Sequence, residues 1–215
     1  MASQTLHKLF KAAYEHASDS FEPDHEVGDL QDLSRSAWVL LSDDQRIQVL
    51  EGNEVEDNLE LGAREEFDSE DLVALVEGGQ TDAPLDKLFL AADQHLEDNG
   101  DASDAASDLQ RLLEGMWSVM RTEQKQDFLG NKAVIAVVES GCCDDVTEES
   151  VQAALKDELA LDVARTLGFD SVDAMLEHQT WLEENGSPEF KQWFDRVQNE
   201  VMGNENTSTR APKPR

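Results

Sequence analysis

The amino-acid sequence predicts an all-α protein built from two tandem duplicated helical modules and a C-terminal helical extension. Three observations predict this fold class. Apolar residues recur at the three- and four-residue spacing of amphipathic helices, one stretch of sequence is repeated along the chain, and no segment has a convincing strand pattern. The most β-prone run, residues 133–138, has a polar counterpart in the other module, so we expect it to be helical.

The internal duplication is clearest in two eleven-residue segments. Residues 6–16 read LHKLFKAAYEH and residues 85–95 read LDKLFLAADQH, with seven of the eleven positions identical. We call the alignment that pairs position 6 with position 85 the repeat register; it holds without a gap as far as DSEDLVA (68–74) and TEESVQA (147–153). A fixed register over so long a stretch indicates two copies of one unit.

The duplication also divides the chain into segments. These are helical repeat 1 (1–80), helical repeat 2 (81–160), a C-terminal helical extension (161–202) and a disordered basic tail (203–215).

Each repeat is predicted to begin with an amphipathic helix followed by an acidic loop and a second helix. The apolar stripe of the first helix consists of Leu6, Leu9, Phe10 and Ala13 in repeat 1 and of Leu85, Leu88, Phe89 and Ala92 in repeat 2. The second helix carries Trp38 or Trp117 on its apolar stripe, and we expect both rings in the core because of their large apolar area.

Two further helices complete each repeat. Ser42 and Thr122 are the predicted N-caps of a third helix, and Gln45 occupies the capping-box position after Ser42. A fourth helix is predicted to start at Ser69 or Thr147, where the acidic residues that follow suit a helix N-terminus. In repeat 2 we expect this helix to extend to about residue 167.

The extension is predicted to contain two more helices. One spans about residues 171–184, and the other runs from Ser187-Pro188 to about residue 202, since proline favours the first position of a helix. Trp181 and Trp193 belong to these helices, where they either complete the core or anchor a partner.

The charge of the chain is the main indication of its function. Forty-eight acidic residues against seventeen basic ones give a formal net charge of −31, which far exceeds the charge of about 2–8 that solubility needs. A surface this negative disfavours direct binding to DNA, RNA or anionic lipid. It favours a basic, nucleic-acid-binding protein or complex as the partner, and it leaves a homodimer open.

The acid is concentrated in three clusters, which we predict to bind that partner. The first cluster, between residues 51 and 71, consists of Glu51, Glu54, Glu56, Asp57, Glu60, Glu65, Glu66, Asp68, Glu70 and Asp71. The second cluster, between residues 97 and 108, contributes Asp98, Asp101 and Asp104. The third cluster, between residues 139 and 149, contributes Asp144, Asp145, Glu148 and Glu149.

The sequence shows no pattern that predicts catalysis, a cofactor or a metal. The five histidines lack metal-ligand spacing, and phosphate-binding loops and nucleophile elbows are absent. Residues 98–104, DNGDASD, do not fit the ligand spacing of an EF-hand. His16 and His95 are equivalent residues near a helix end, and we expect them to interact with the C-terminal helix dipole. We therefore expect a protein that is not an enzyme.

Cysteine usage and the N-terminus predict the location. The only two cysteines, Cys142 and Cys143, are adjacent and do not form a secreted disulfide framework. Residues 1–14 lack the apolar core of a secretory signal, and no apolar run is long enough to span a bilayer. The expected location is the cytoplasm, that of the host if the chain is phage-encoded.

Two hypotheses account for the charge. The first is DNA mimicry: 215 residues compact to a length of about 45 Å, and a duplex of that length carries about 26 charges. Such a protein would inhibit a DNA-binding enzyme, as phage and plasmid inhibitors of restriction and CRISPR enzymes do.

The alternative hypothesis is an acidic helical-repeat scaffold or adaptor from a salt-adapted source. A mimic is expected to concentrate carboxylates on one face, whereas salt adaptation places them on every exposed face.

Overall fold

The structure is a computed structural model that describes residues 3–22, 24–52, 55, 67–99, 102–141 and 146–186, together with 188, 191–193, 195 and 196. Of residues 95–99, 102 and 182–185 it describes the backbone alone. Ten helices follow one another in this part of the chain: α1 (Gln4–Ser20), α2 (Asp24–Trp38), α3 (Asp43–Leu50), α4 (Ser69–Glu77), α5 (Ala83–Asn99), α6 (Ala102–Val119), α7 (Thr122–Leu129), α8 (Lys132–Ser140), α9 (Glu148–Thr166) and α10 (Val172–Asn185).

The predicted all-α class is confirmed, since the described residues contain helices and no strand. The β-prone run 133–138 lies within α8 and is helical, as expected. Repeat 2 has one helix more than the four predicted, since α8 follows the predicted third helix, α7, after a break at residues 130 and 131. The Asn131 side chain caps α8 by accepting a hydrogen bond from the Ala133 N–H at 3.0 Å.

The starts of three helix pairs keep the repeat register seen in the sequence. These pairs are α1 and α5, α3 and α7, and α4 and α9. Ser42 is confirmed as the N-cap of α3, with Gln45 closing a capping box. The prediction that Thr122 caps α7 is wrong, because Thr122 is already the first helical residue. Arg121 takes the flanking position instead, and its backbone N–H donates to Gln124 Oε1 at 2.9 Å.

The chain divides into two compact units, residues 1–152 and 153–215, with the boundary inside α9. In the first unit α2 packs against α6, α1 lies beside α2, and α5 lies beside α6. The predicted burial of Trp38 and Trp117 is confirmed, since both rings lie in the core. Among the described helices, none is both long and apolar enough to cross a membrane.

Each repeat contributes a segment that packs against helices of the other repeat. Helix α8 of repeat 2 packs against α1 and α2 of repeat 1, and a Cβ added to Gly141 would lie 2.7 Å from the Ala12 carbonyl oxygen of α1. In the other direction, Val55 of repeat 1 is buried and lines a small apolar cleft with Leu88 and Leu109 of repeat 2. The core of the first unit is therefore built jointly by both repeats.

A reciprocal pair of glutamines joins the repeats where α3 and α7 begin. Gln45 and Gln124 hydrogen-bond to each other through both amides at 2.9 Å. Gln45 also donates to the Val119 carbonyl, and Gln124 donates to the Leu40 carbonyl. The repeat register maps each half of this network onto the other half. The contact is isologous, as at a two-fold axis.

The second unit has its own small core. Val163, Ala164 and Met175 are buried together, with Phe169 packed against them. Gly168 ends α9 with a φ of +85°, and the chain then turns so that the Phe169 N–H donates to the Ala164 carbonyl. Helix α10 confirms the helix predicted over residues 171–184.

Few residues of the predicted extension after α10 are described. The helix predicted for 187–202 lies for the most part outside the described residues, and the tail 203–215 lies wholly outside them. Trp181 and Trp193 are about half exposed. Trp181 stacks on the His178 ring at a centroid distance of 5.7 Å.

The Gln124→Leu variant tests the contribution of the glutamine pair. It leaves the Leu40 carbonyl and the Gln45 amide without their partner, so we expect the free energy of unfolding to fall by about 1–3 kcal/mol. The matched control Gln48→Leu, at an exposed position of the equivalent helix α3, is expected to change it by less than about 0.5 kcal/mol. Urea unfolding measures both. If the two substitutions lowered the free energy of unfolding equally, the glutamine pair would not be the contact that holds the repeats together.

A second prediction concerns the close approach of Gly141 to α1. In Gly141→Ala the added methyl group meets the Ala12 backbone, so we expect a loss of about 1–3 kcal/mol in the free energy of unfolding. Gly28 is an exposed position within α2 with nothing within 4 Å of an added Cβ. We expect Gly28→Ala to stabilise the protein by about 0.5–1 kcal/mol through helix propensity. Thermal unfolding that showed the same sign for both variants would contradict the close packing of Gly141 on α1.

Candidate partner-binding surface

The first acidic cluster is described at both of its ends. Glu51 follows α3, and Asp68, Glu70 and Asp71 lie at the start of α4; all four are exposed. Asp68 caps the helix by accepting from the Asp71 N–H at 2.9 Å, and the Asp71 carboxylate accepts from the Asp68 N–H at 3.4 Å. These two carboxylates are thereby held in fixed positions at the surface.

The third cluster occupies the equivalent place in repeat 2. Glu148 and Glu149 are exposed in the first turn of α9, at the positions that the repeat register pairs with Ser69 and Glu70. Thr147 takes the capping role, since its hydroxyl accepts from the Ser150 N–H at 3.2 Å. The structure thus places carboxylates of two predicted clusters at corresponding helix starts.

The second cluster is less well matched to the prediction. Asp104 is half-buried in the first turn of α6, and Asp98 lies in α5, for which only the backbone is described at that point. Asp108, which falls within the span of this cluster, is buried with 5% of its surface exposed. The remaining predicted residues lie outside the described part of the chain: Glu54, Glu56, Asp57, Glu60, Glu65, Glu66, Asp101, Asp144 and Asp145.

Acidic residues also contribute to helix formation throughout the protein. Eight of the ten described helices have an acidic residue in the first turn, whereas only α2 and α9 have a basic residue in the last turn. A carboxylate near a helix N-terminus is stabilised by the helix dipole. Each of these ten helices also exposes at least one carboxylate, so the negative charge is spread beyond the three clusters.

The turn between α1 and α2 carries a polar group that the sequence analysis missed. We expected His16 to interact with a helix end, but its Nδ1 lies 2.8 Å from Asp29 Oδ2 on the neighbouring helix. The ring of His16 stacks on that of His25 at a centroid distance of 4.6 Å. A signal for this pair was present, because the repeat register matches His16 with His95 and Asp29 with Asp108.

His25 holds the turn itself. Its Nδ1 lies 2.8 Å from Ser20 Oγ and its Nε2 lies 2.9 Å from Glu22 Oε2. Ser20 in turn donates to the His16 carbonyl at 2.8 Å. One histidine ring therefore contacts the residue on each side of Phe21, which is the C-cap of α1.

Two carboxyl groups of α2 are affected by their surroundings. Burial raises the pKa of Glu26 above its usual value. Burial also raises the pKa of Asp29, and the hydrogen bond from His16 opposes that rise. Within the described residues, no three His, Cys, Asp or Glu side chains are grouped as metal ligands.

The comparisons with known proteins place the chain in no family. No family model, no curated protein and no solved structure matches it. The candidate site is therefore defined by its own geometry and charge.

The Glu26→Gln variant tests the effect of burial on Glu26. A carboxyl whose pKa is raised on folding destabilises the folded state when it is ionised, and this cost disappears as the pH falls below the unfolded pKa. We therefore expect the variant to raise the melting temperature at pH 7 and to have little effect near pH 4. Asp19→Asn removes the same charge from an exposed position of α1. A rise at pH 7 no larger than that of the control would show that net charge alone is responsible.

Proposed function

We propose that this protein is a DNA-mimic-type inhibitor that occupies the nucleic-acid-binding surface of a basic protein partner. The observation that carries the proposal is the exposed acid at the starts of α4 and α9, on a chain of net charge −31. Even if each of the seventeen cations paired with one acid, thirty-one acids would have no such partner. Carboxylates held at helix starts are positioned charges, as phosphates on a duplex are. The protein acts by binding and not as an enzyme.

We further propose that repeats 1 and 2 are tandem copies of one helical module. The matching helix starts and the reciprocal glutamine pair support this proposal. So do two equivalent cation–π contacts: Arg46 lies over the Trp38 ring at 5.6 Å, and Lys125 lies over the Trp117 ring at 5.0 Å. The repeat register maps each of these contacts onto the other.

The copies give the proposed function a geometric consequence. On this proposal the exposed acids at the starts of α4 and α9, which share the repeat register, form two related groups of charges. DNA-binding proteins that act as dimers likewise present two basic sites related by a two-fold axis. A partner with two equivalent basic sites therefore fits this protein better than a partner with one.

The alternative function is an acidic helical scaffold or adaptor from a salt-adapted source. The observation that favours it is the exposed carboxylate on every one of the ten described helices. On this alternative the acids keep the protein soluble at high salt, where the repulsion between them is screened. The partner would then bind through other residues.

The first experiment is the capture of partners on the immobilised protein, followed by elution with duplex DNA. Elution with polyglutamate at the same charge concentration is the control for charge without duplex geometry. We expect retained nucleic-acid-binding proteins that duplex DNA displaces at lower concentration than polyglutamate does. Retention of no basic protein at moderate salt would contradict the inhibitor proposal.

Reversal of charge in the first cluster tests the site. The test variant carries four substitutions, Glu51→Lys, Glu54→Lys, Glu65→Lys and Glu66→Lys. We expect it to lose partner binding. Its helicity in circular dichroism is expected to stay unchanged, because the Asp68–Asp71 cap is kept. The matched control reverses Glu77, Glu114, Asp127 and Asp157, which are exposed outside the three clusters. A single reversal is expected to have little effect, since the interaction is shared by many weak contacts. Equal binding by both fourfold variants would exclude the first cluster as the site.

The salt dependence of folding separates the two functions. We expect cooperative unfolding already at about 0.1 M KCl, with stability rising modestly as the Debye length falls from about 10 Å to about 3 Å at 1 M. Urea unfolding at several KCl concentrations gives this dependence. A chain that folds only near molar salt would favour the salt-adapted scaffold.

A further inference from the structure

The turn between α1 and α2 exposes an aromatic ring on an unfavourable backbone. Phe21 is 91% exposed and has a φ of +57°, the one positive φ of a non-glycine residue in the described chain. The left-handed region is disfavoured for a residue with a Cβ, and glycine is the usual residue where a helix ends in this way. In the other repeat the matching position is Gly100.

Folding does not explain why position 21 is a phenylalanine. The backbone bonds that end α1 run from the N–H groups of Phe21 and Glu22 to carbonyls of the last turn, and any residue could make them. The ring is almost wholly in water, so it returns little burial energy for the strain. A glycine at position 21 would serve the fold at least as well.

The backbone that carries the ring is also held in place. His25 contacts Ser20 through Nδ1 and Glu22 through Nε2, so both neighbours of Phe21 are tied to the same imidazole. The His25 ring is in turn stacked on that of His16. A backbone turn that is fixed before binding loses little entropy on binding.

The surroundings of Phe21 indicate the chemistry of what binds there. Tyr14 is 59% exposed and lies two helical turns earlier, about 10 Å along the axis, where repeat 2 has Asp93. Residues 12–34 contain seven acidic residues and no lysine or arginine. The turn thus combines two exposed aromatic rings with a strongly negative environment.

We propose that Phe21 is an exposed aromatic anchor, carried on a pre-organised turn, for an arginine-bearing segment of a basic protein partner. A guanidinium group stacks on an aromatic face and pairs with carboxylates at the same time, which an ammonium group does less well. A second copy of this chain does not fit, because seven acids from each copy would meet at the contact. This proposal rests on the proposed function only in assuming that the partner is positively charged. Phe21, Tyr14 and His25 lie outside the three acidic clusters.

Binding of nona-arginine and nona-lysine peptides to the full-length protein tests the anchor. At about 0.15 M salt we expect the wild type to bind nona-arginine more tightly than nona-lysine. Phe21→Gly is expected to weaken nona-arginine binding about tenfold, the size of a partly desolvated cation–π contact, and to abolish the preference for arginine. Its melting temperature is not expected to fall, so a folding defect cannot account for the loss.

Two further variants complete the experiment. Val39→Ser removes another exposed apolar side chain, 61% exposed and about 22 Å from the first residue of α2 along its axis. It introduces the residue found at the matching position 118, and we expect unchanged binding. His25→Gln is expected to weaken nona-arginine binding by a smaller factor than Phe21→Gly, because the ring remains but the turn that carries it is less well held.

Three outcomes would overturn the proposal. These are equal nona-arginine binding by Phe21→Gly and wild type, no preference for arginine in the wild type, or a wild-type dimer that Phe21→Gly makes monomeric in sedimentation.

The fourfold reversal in the first cluster separates this proposal from the proposed function. If the clusters are not the site, that variant still binds nona-arginine with the same preference for it over nona-lysine. If Phe21 is not the anchor, the cluster variant loses partner binding while Phe21→Gly behaves as wild type.

Discussion

The first unit depends on the hydrogen-bonded contact between Gln45 and Gln124. Buried amides destabilise a fold unless their donors and acceptors are satisfied, and here each glutamine bonds both its counterpart and a backbone carbonyl of the other repeat. Separation of the repeats would expose all of these groups together with the surface that α8 buries on α1 and α2.

Several of the few cations of the chain lie over aromatic rings. Arg46 lies over Trp38, Lys125 over Trp117 and Lys87 over Phe67. Such contacts keep positive charge close to the core, while the acids occupy helix starts, where the dipole stabilises them.

The two repeats differ where neither the core nor the glutamine contact requires a particular residue. Phe21 and Tyr14 of repeat 1 are exposed aromatic residues, whereas repeat 2 has Gly100 and Asp93 at those positions. This difference gives repeat 1 two exposed aromatic side chains. Charge complementarity speeds and steers association, and an aromatic contact slows dissociation, so the two features would act on different steps of binding.

The sequence by itself determined the all-α class, the starts of α3 and α4, the burial of both core tryptophans and the places where the acid is concentrated. These features follow from local periodicity and capping, which depend on residues three or four positions apart. Only the tertiary structure decided that Gln45 meets Gln124, that His16 bonds Asp29, that Gly141 lies against Ala12 and that Asp108 is buried. Each of these depends on which helix faces meet, and helical periodicity identifies the apolar face of a helix without identifying its neighbour.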